Sequence, residues 1–170
     1  MKDALAIHRW LLAHLVPHEI VRLPRPMTCV DELPESVLAP PSRCVSVTVF
    51  ELATRQGREA VAVVSTVADP PRPGVLAGLL GARRVRVAPA FVVNRLTDYA
   101  DGLVAPLLLP PDLPVLLDDR LPTCDDPVYT ATGERCTALA IGGLDLRSAL
   151  SGRSVDLRPR GSREAVALRH

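Results

Sequence analysis

Few side chains in this sequence can do chemistry at neutral pH, and their spacing excludes most familiar devices. The four cysteines, at 29, 44, 124 and 136, lack the C-x-x-C spacing of a zinc or redox site. His8, His14 and His18 lie close in sequence without a cysteine or carboxylate at ligand spacing. Pro17 keeps His14 and His18 off one helical face. Surface or half-buried histidines account for the pattern, so no metal is expected. Cys44 as a nucleophile has no histidine placed to activate it. No Walker A, G-x-G-x-x-G or G-x-S-x-G sequence occurs, and no cofactor is implied. Asp118-Asp119, at a strand end, offers either a working carboxylate or the cap of a turn. The basic residues are nineteen arginines and a single lysine, Lys2, so chemistry that needs an internal lysine amine is excluded.

The segment Tyr99-Ala-Asp-Gly102-Leu-Val-Ala-Pro106 is more informative. Glycine and proline four apart, after a helix and before an apolar strand, specify a backbone held in a defined bend. Such a bend either serves as a plain turn or presents successive N–H groups to an oxygen that gains negative charge.

The elements around these residues can be read from periodicity. Ala4–Leu15 carries a helical apolar stripe that Pro17 ends. His18–Leu23 alternates as a short strand, and Thr28 with Asp31 resembles a capping box before a brief helix. Arg43–Leu52 alternates strictly. Val45, Val47 and Val49 share one face, and Cys44, Ser46, Thr48 and Phe50 the other. Gln56-Gly57-Arg58 turns the chain back into Ala60–Val67, forming a hairpin. A helix over Val75–Leu80 closes at Gly81. Arg83–Val87 reads as a strand with Val85 and Val87 inward, and Pro89 opens a helix through Arg95. Further strands fall at Val115–Asp118, Val128–Thr132 and Thr137–Ile141, and a last helix runs from near Gly143 to near Gly152. The order predicts an α/β fold with a mixed sheet, since strict βαβ regularity is missing.

Composition sets the outer bounds. The 170 residues are 48% apolar and 23% charged, with net charge +1. One globular domain fits, and a largely disordered chain does not. No apolar run reaches the ~20 residues of a membrane span. His8, Arg9 and His14 make Ala4–Val16 a poor signal peptide, and four cysteines without a disulfide-dense pattern make a reducing, cytoplasmic setting the default expectation. Five aromatic residues, Trp10, Phe50, Phe91, Tyr99 and Tyr129, are too few for a base-stacking platform. The expected organisation is one domain over 1–152 and a basic tail over 153–170. Five arginines stand in that tail against Asp156 and Glu164. It either follows nucleic-acid phosphates or is a solvated end.

From about residue 60 to 143 the order of elements resembles the YbaK and prolyl-tRNA synthetase-associated editing-domain family. The resemblance is carried by "VAVVSTVA", "VLAGLLGARRVRVAPAFVVNRLTDYADGLVAPLLLP", "LPVLLDDRLP", "VYTATGERC" and "GLDLRSAL". Within these runs, the glycine–arginine–strand–Ala-Pro step at 81–89 stands in the family's order and approximate spacing. Tyr99 with Gly102 and Pro106, and the strand ending in Asp118, do the same. The resemblance implies a mixed, barrel-like sheet flanked by helices. It also implies hydrolysis of the ester that joins a wrong amino acid to tRNA, with no triad or metal.

In that scheme the amides of the Gly102–Pro106 loop position the acyl carbonyl. Water, assisted by the sugar hydroxyls of the tRNA terminus, attacks it. Gly102 and Ser46 are the expected catalytic positions, with Cys44, Thr48, Tyr99, Pro106 and Asp118 around the substrate. Arg43, Arg83, Arg84 and Arg86 are candidates for tRNA phosphates, although Arg83, Arg84 and Arg86 also read as ordinary surface arginines. Mischarged tRNA is the expected partner, and an aminoacyl-tRNA synthetase is admitted as a second. One departure stands out. Family members carry a pocket-facing lysine on the strand before the first hairpin turn, and Ser46, or less directly Cys44, occupies that position here. The polar residues expected near "VYTATGERC" fall at Ala131 and Ala138. Two readings remain: a trans-acting deacylase that works without the lysine, or an inactive module that binds tRNA, an aminoacyl group or a protein.

Overall fold

The computed structural model describes residues 1–159 and 161. Asp3 starts helix α1 (Ala4–Ala13) by accepting the Ala6 amide at 2.9 Å, and the helix buries Ala4, Ile7 and Leu11. Strand β1 (His18–Arg22) follows. A 3₁₀ turn (Val30–Glu32) and a short helix α2 (Leu33–Val37) come next. The cap here differs from expectation. The carboxylate that receives the Thr28 hydroxyl and the Thr28 and Cys29 amides is Glu32, not Asp31, and these bonds lower its pKa.

Strands β2 (Cys44–Thr54) and β3 (Gly57–Thr66) make the long hairpin, in register from Val45↔Thr66 to Thr54↔Gly57. Helix α3 (Pro73–Leu80) ends at Gly81 in the left-handed conformation, φ +62°. Among the described residues, strand β4 (Arg84–Val87) pairs only with β2. Val85 packs partly against the core, but Val87 is 59% exposed rather than inward. An edge strand with so short a pairing leaves its end uncovered. Pro89 caps helix α4 (Ala90–Thr97). Strands β5 (Val115–Asp118), β6 (Pro127–Ala131) and β7 (Thr137–Gly142), helix α5 (Gly143–Ala149) and strand β8 (Arg153–Val155) complete the order.

The eight strands form one mixed sheet, β1-β7-β6-β2-β3-β5-β8, with β4 beside β2. The sheet continues past residue 152, because β8 pairs in parallel with β5. The expected tail from 162 onward, and Arg160, lie outside the described residues. One face of β2 and β3, through Val45, Val49, Ala62 and Val64, joins the main core with α1, α4 and α5. The opposite face splits into two smaller clusters. Phe50, Leu52, Val61, Val63 and Leu76 pack at one end. Cys44, Leu103, Ala131 and Ala138 pack under Met27 and Leu33 at the other. Because β2 alternates, a single strand feeds all three clusters.

Candidate active site

The loop that follows α4 is fixed at both feet. Thr97 donates its hydroxyl to Val93 O at 2.7 Å and accepts the Tyr99 amide at 3.1 Å. The Lys2 ammonium donates to Thr97 O at 3.1 Å and also to Leu108 O, so one cation ties residue 97 to residue 108. It lies 5.4 Å from the Tyr99 ring centroid, within cation–π range. Burial lowers the Lys2 pKa, with Asp98 opposing the shift. Tyr99 is fully buried and donates to Leu107 O at 2.7 Å, and burial pushes its phenol well up. Tyr99, expected at the substrate, is therefore an internal strut of the loop.

Gly102 sits at φ +81°, and its carbonyl accepts the Val30 amide at 2.9 Å. A Cβ there would stand 2.6 Å from Thr28 O, so both conformation and clearance demand glycine. The amides of Gly102, Val104 and Ala105 make no hydrogen bond among the described residues. Backbone donors without an internal partner on a pinned bend can serve an oxyanion that reaches them, and here Val104 and Ala105 are buried. Pro106 is buried. It lines an apolar groove of about 940 Å³ with Lys2, Ala6, Trp10 and Leu107.

Beside the loop, a polar row crosses the sheet. Ser46 on β2 is directly opposite Ser65 on β3. The β3–β5 register, Val63↔Leu116 and Val64↔Leu117, continued by one residue, sets Asp118 next to Ser65. Thr48 follows Ser46 on the same face. Ser46 is 6% exposed and Ser65 is fully buried, and the Ser65 Oγ has no partner among the described residues. A buried hydroxyl without a partner is uncommon in native proteins and asks for a reason. Sequence reading passed over Ser65, because it lies inside an apolar strand run; only its register with Ser46 distinguishes it.

Cys44, two residues before Ser46, is fully buried in the apolar cluster with Ala131, Ala138 and Leu103. Burial pushes its thiol up to about 11, which holds it protonated and unreactive. Asp118 is 1% exposed. Arg120 binds both its oxygens, at 3.1 and 2.9 Å, and reaches Asp69 at 3.2 Å. That pairing raises the Arg120 pKa further. Asp118 thus borders the row with its charge already matched by Arg120, a partner not singled out from the sequence.

The arginines fall into two places. Arg43, just before β2, pairs with Asp126 at 2.9 Å. Arg83, Arg84 and Arg86 are exposed at the far end of the hairpin. The Arg83 amide is bound to Ala53 O at 2.8 Å, and Arg86 pairs with Glu51 at 2.6 Å. The structure therefore brings Ser46, Thr48 and Asp118 together on one face, with Cys44 beside Ser46 on the same face. The Gly102 loop adjoins through Leu103, which packs on Cys44's cluster. The three hairpin arginines stand apart from this group.

The mixed sheet flanked by helices is the architecture of the YbaK-like editing fold. The chain belongs to the aminoacyl-tRNA editing domain family, whose model matches residues 25–149. Among solved structures it is similar to the hypothetical protein APE2540, at 24% identity and TM-score 0.74, covering 89% of this chain and 97% of that one. It is also similar to a candidate trans-editing enzyme for prolyl-tRNA synthetase, at 24% identity and TM-score 0.66, covering 84% and 87%. A third neighbour is a scaffold protein carrying a computationally grafted epitope, at 21% identity and TM-score 0.70, covering 91% and 92%. At these identities the likenesses establish the fold. A comparison with curated proteins finds no significant match.

Proposed function

We propose that this chain is a trans-acting aminoacyl-tRNA deacylase that hydrolyses the ester of a mischarged tRNA in the cytoplasm. The observation that carries the reading is the open set of amides at Gly102, Val104 and Ala105 on a loop pinned at both feet. In the reaction, water attacks the acyl carbonyl and the new C–O bond forms as negative charge grows on the acyl oxygen. The loop amides receive that charge. The ester C–O bond then breaks, the terminal ribose oxygen takes a proton, and the amino acid leaves as its carboxylate. One preorganised oxyanion donor is worth roughly 10²–10³ in rate, enough for an ester that is already labile.

Ser46 and Thr48 form the polar floor in this scheme. Asp118 acts at its border through Arg120, while Tyr99 and Pro106 shape the loop from within. The tRNA body is held by arginines outside the pocket, and an aminoacyl-tRNA synthetase is a compatible second partner. The working unit is the domain through residue 152 with β8 added to its sheet. Editing answers a physical limit, since a synthetase pocket separates side chains differing by one methylene by only ~1–3 kcal/mol.

A second reading rests on a specific observation. Cys44, Ala131 and Ala138 make an apolar patch where the family resemblance calls for polar groups, which favours a module that binds without turnover. A panel of mischarged tRNAs separates the two readings. Release of amino acid that drops in Ser46→Ala supports the enzyme. Binding of the same tRNAs without release by the parent chain contradicts it.

A further inference from the structure

At the tip of the β2–β3 hairpin, three strands align their side chains across one face. Ala53 of β2 is opposite Arg84 of β4 on one side and Arg58 of β3 on the other. Paired residues project to the same side of a sheet, so two guanidiniums flank a single methyl group. One step away, Glu51 faces Arg86 and neutralises it. Arg58 and Arg84 are exposed and make no ion pair among the described residues.

Strands stand ~4.8 Å apart, which sets the two arginine Cβ atoms about 10 Å from each other. Each side chain is long enough to reach the middle of that gap. With Glu51, Leu52, Ala53 and Arg86 they bound a cleft of about 180 Å³. Two like charges over a small apolar floor repel, and a tetrahedral oxyanion between them relieves the repulsion while accepting paired N–H bonds from both planar groups.

We propose that Arg58 and Arg84 form a cradle for one phosphodiester group of a nucleic acid. The identity of that nucleic acid as tRNA rests on the deacylase reading above. Ala53 lies seven residues beyond Ser46 on β2, about 23 Å at 3.3 Å per residue, and on the opposite face. The cradle therefore takes a backbone phosphate of the tRNA body, reached around the unpaired edge of β4, and not the terminal nucleotide. The basic footprint narrows from Arg83, Arg84 and Arg86 to Arg84 with Arg58, a residue whose turn position hid it in the sequence.

The test is the affinity of the full chain for uncharged, fluorescently labelled tRNA, measured by anisotropy across a salt series. The double variant Arg58→Gln with Arg84→Gln gives up one phosphate contact and should lower the slope of log K against log salt by about 0.7–0.9. Each single variant leaves one guanidinium on that phosphate and should weaken binding with a smaller change of slope. Arg22→Gln, an exposed arginine on β1 at one end of the sheet, should leave slope and affinity unchanged. Inorganic phosphate should displace the tRNA from the parent chain better than chloride at equal ionic strength, and should lose that advantage in the double variant. The proposal is overturned by an unchanged slope in the double variant, by an equal loss in Arg22→Gln, or by a phosphate advantage over chloride that persists in the double variant. Uncharged tRNA carries no ester, so this test and the deacylase test can fail independently.

Discussion

Two regions of this molecule meet at the candidate site, and they are built from different materials. The 97–108 loop is a backbone device. Its shape comes from Gly102 at φ +81°, from Lys2 bridging Thr97 O and Leu108 O, and from Tyr99 bonded to Leu107 O. The Cys44–Thr48 face is a side-chain device. There Ser46 and Ser65 stand between an apolar cluster around Cys44 and another around Phe50. The loop keeps its donors free and its geometry over-determined. The strand face carries hydroxyls and no cation, where the family resemblance calls for a lysine. Backbone geometry needs only glycine at one position and packing behind it, so it survives side-chain turnover. The expected chemistry is accordingly weighted toward the loop.

The comparison is broken most forcefully at Gly102. Gly102→Ala places a Cβ 2.6 Å from Thr28 O in a left-handed conformation, and should cost about 2–4 kcal/mol while removing deacylation. Urea unfolding and ester release read the two effects separately.

The apolar side of the comparison is sharpened by pH. The Cys44 thiol is pushed up to about 11 in the fold, whereas an unfolded cysteine ionises from about pH 8.5–9. Between those values the unfolded chain binds fewer protons, so stability falls as pH rises. The stabilisation is complete below pH 9 and is lost by about pH 11, on the order of 2–3 kcal/mol. Comparing urea midpoints at pH 8 and 10.5 for the parent and Cys44→Ala isolates it, because the variant should lose less. Thiol labelling checks the same burial. Cys124 and Cys136 are exposed and should react in the native state, and Cys44 only after unfolding.

Much of this division can be read in the sequence. Strict alternation placed β2 and its two faces, Gly81 and Pro89 marked helix boundaries, and the Gly102–Pro106 spacing marked the bend. Other features are long-range and leave no local trace. Lys2 reaches Leu108 across 106 positions, and Ser65 matters only through its register with Ser46. Val87 alternates correctly, yet it is exposed because β4, among the described residues, pairs only with β2. The place of Tyr99 in the loop suggests a substrate contact. The burial of Tyr99 is set by packing against Gly133, whose Cβ would stand 2.8 Å from the ring.

Smaller effects grade the two regions further. Tyr99→Phe leaves Leu107 O without its buried donor and should cost about 1–2 kcal/mol. A fall of about 3–6 °C in Tm would accompany a lower ester-release rate. Ser46→Ala should change stability by less than about 0.5 kcal/mol, because Ser46 makes no hydrogen bond within the described residues. Single-turnover release should nonetheless slow about tenfold, the scale of one hydrogen bond. A Ser46→Ala effect as large as that of Gly102→Ala would reverse the weighting between loop and strand.

The most direct measurement follows the backbone amides themselves. An adenosine bearing an amide-linked amino acid, which cannot be hydrolysed, is titrated into the ¹⁵N-labelled protein while the Gly102, Val104 and Ala105 N–H resonances are monitored. The expected result is a saturable downfield shift of these amides, accompanied by a change at Ser46. If the ligand binds and the loop amides stay where they were while other residues move, the acyl oxygen is held elsewhere and the assignment of the loop is wrong.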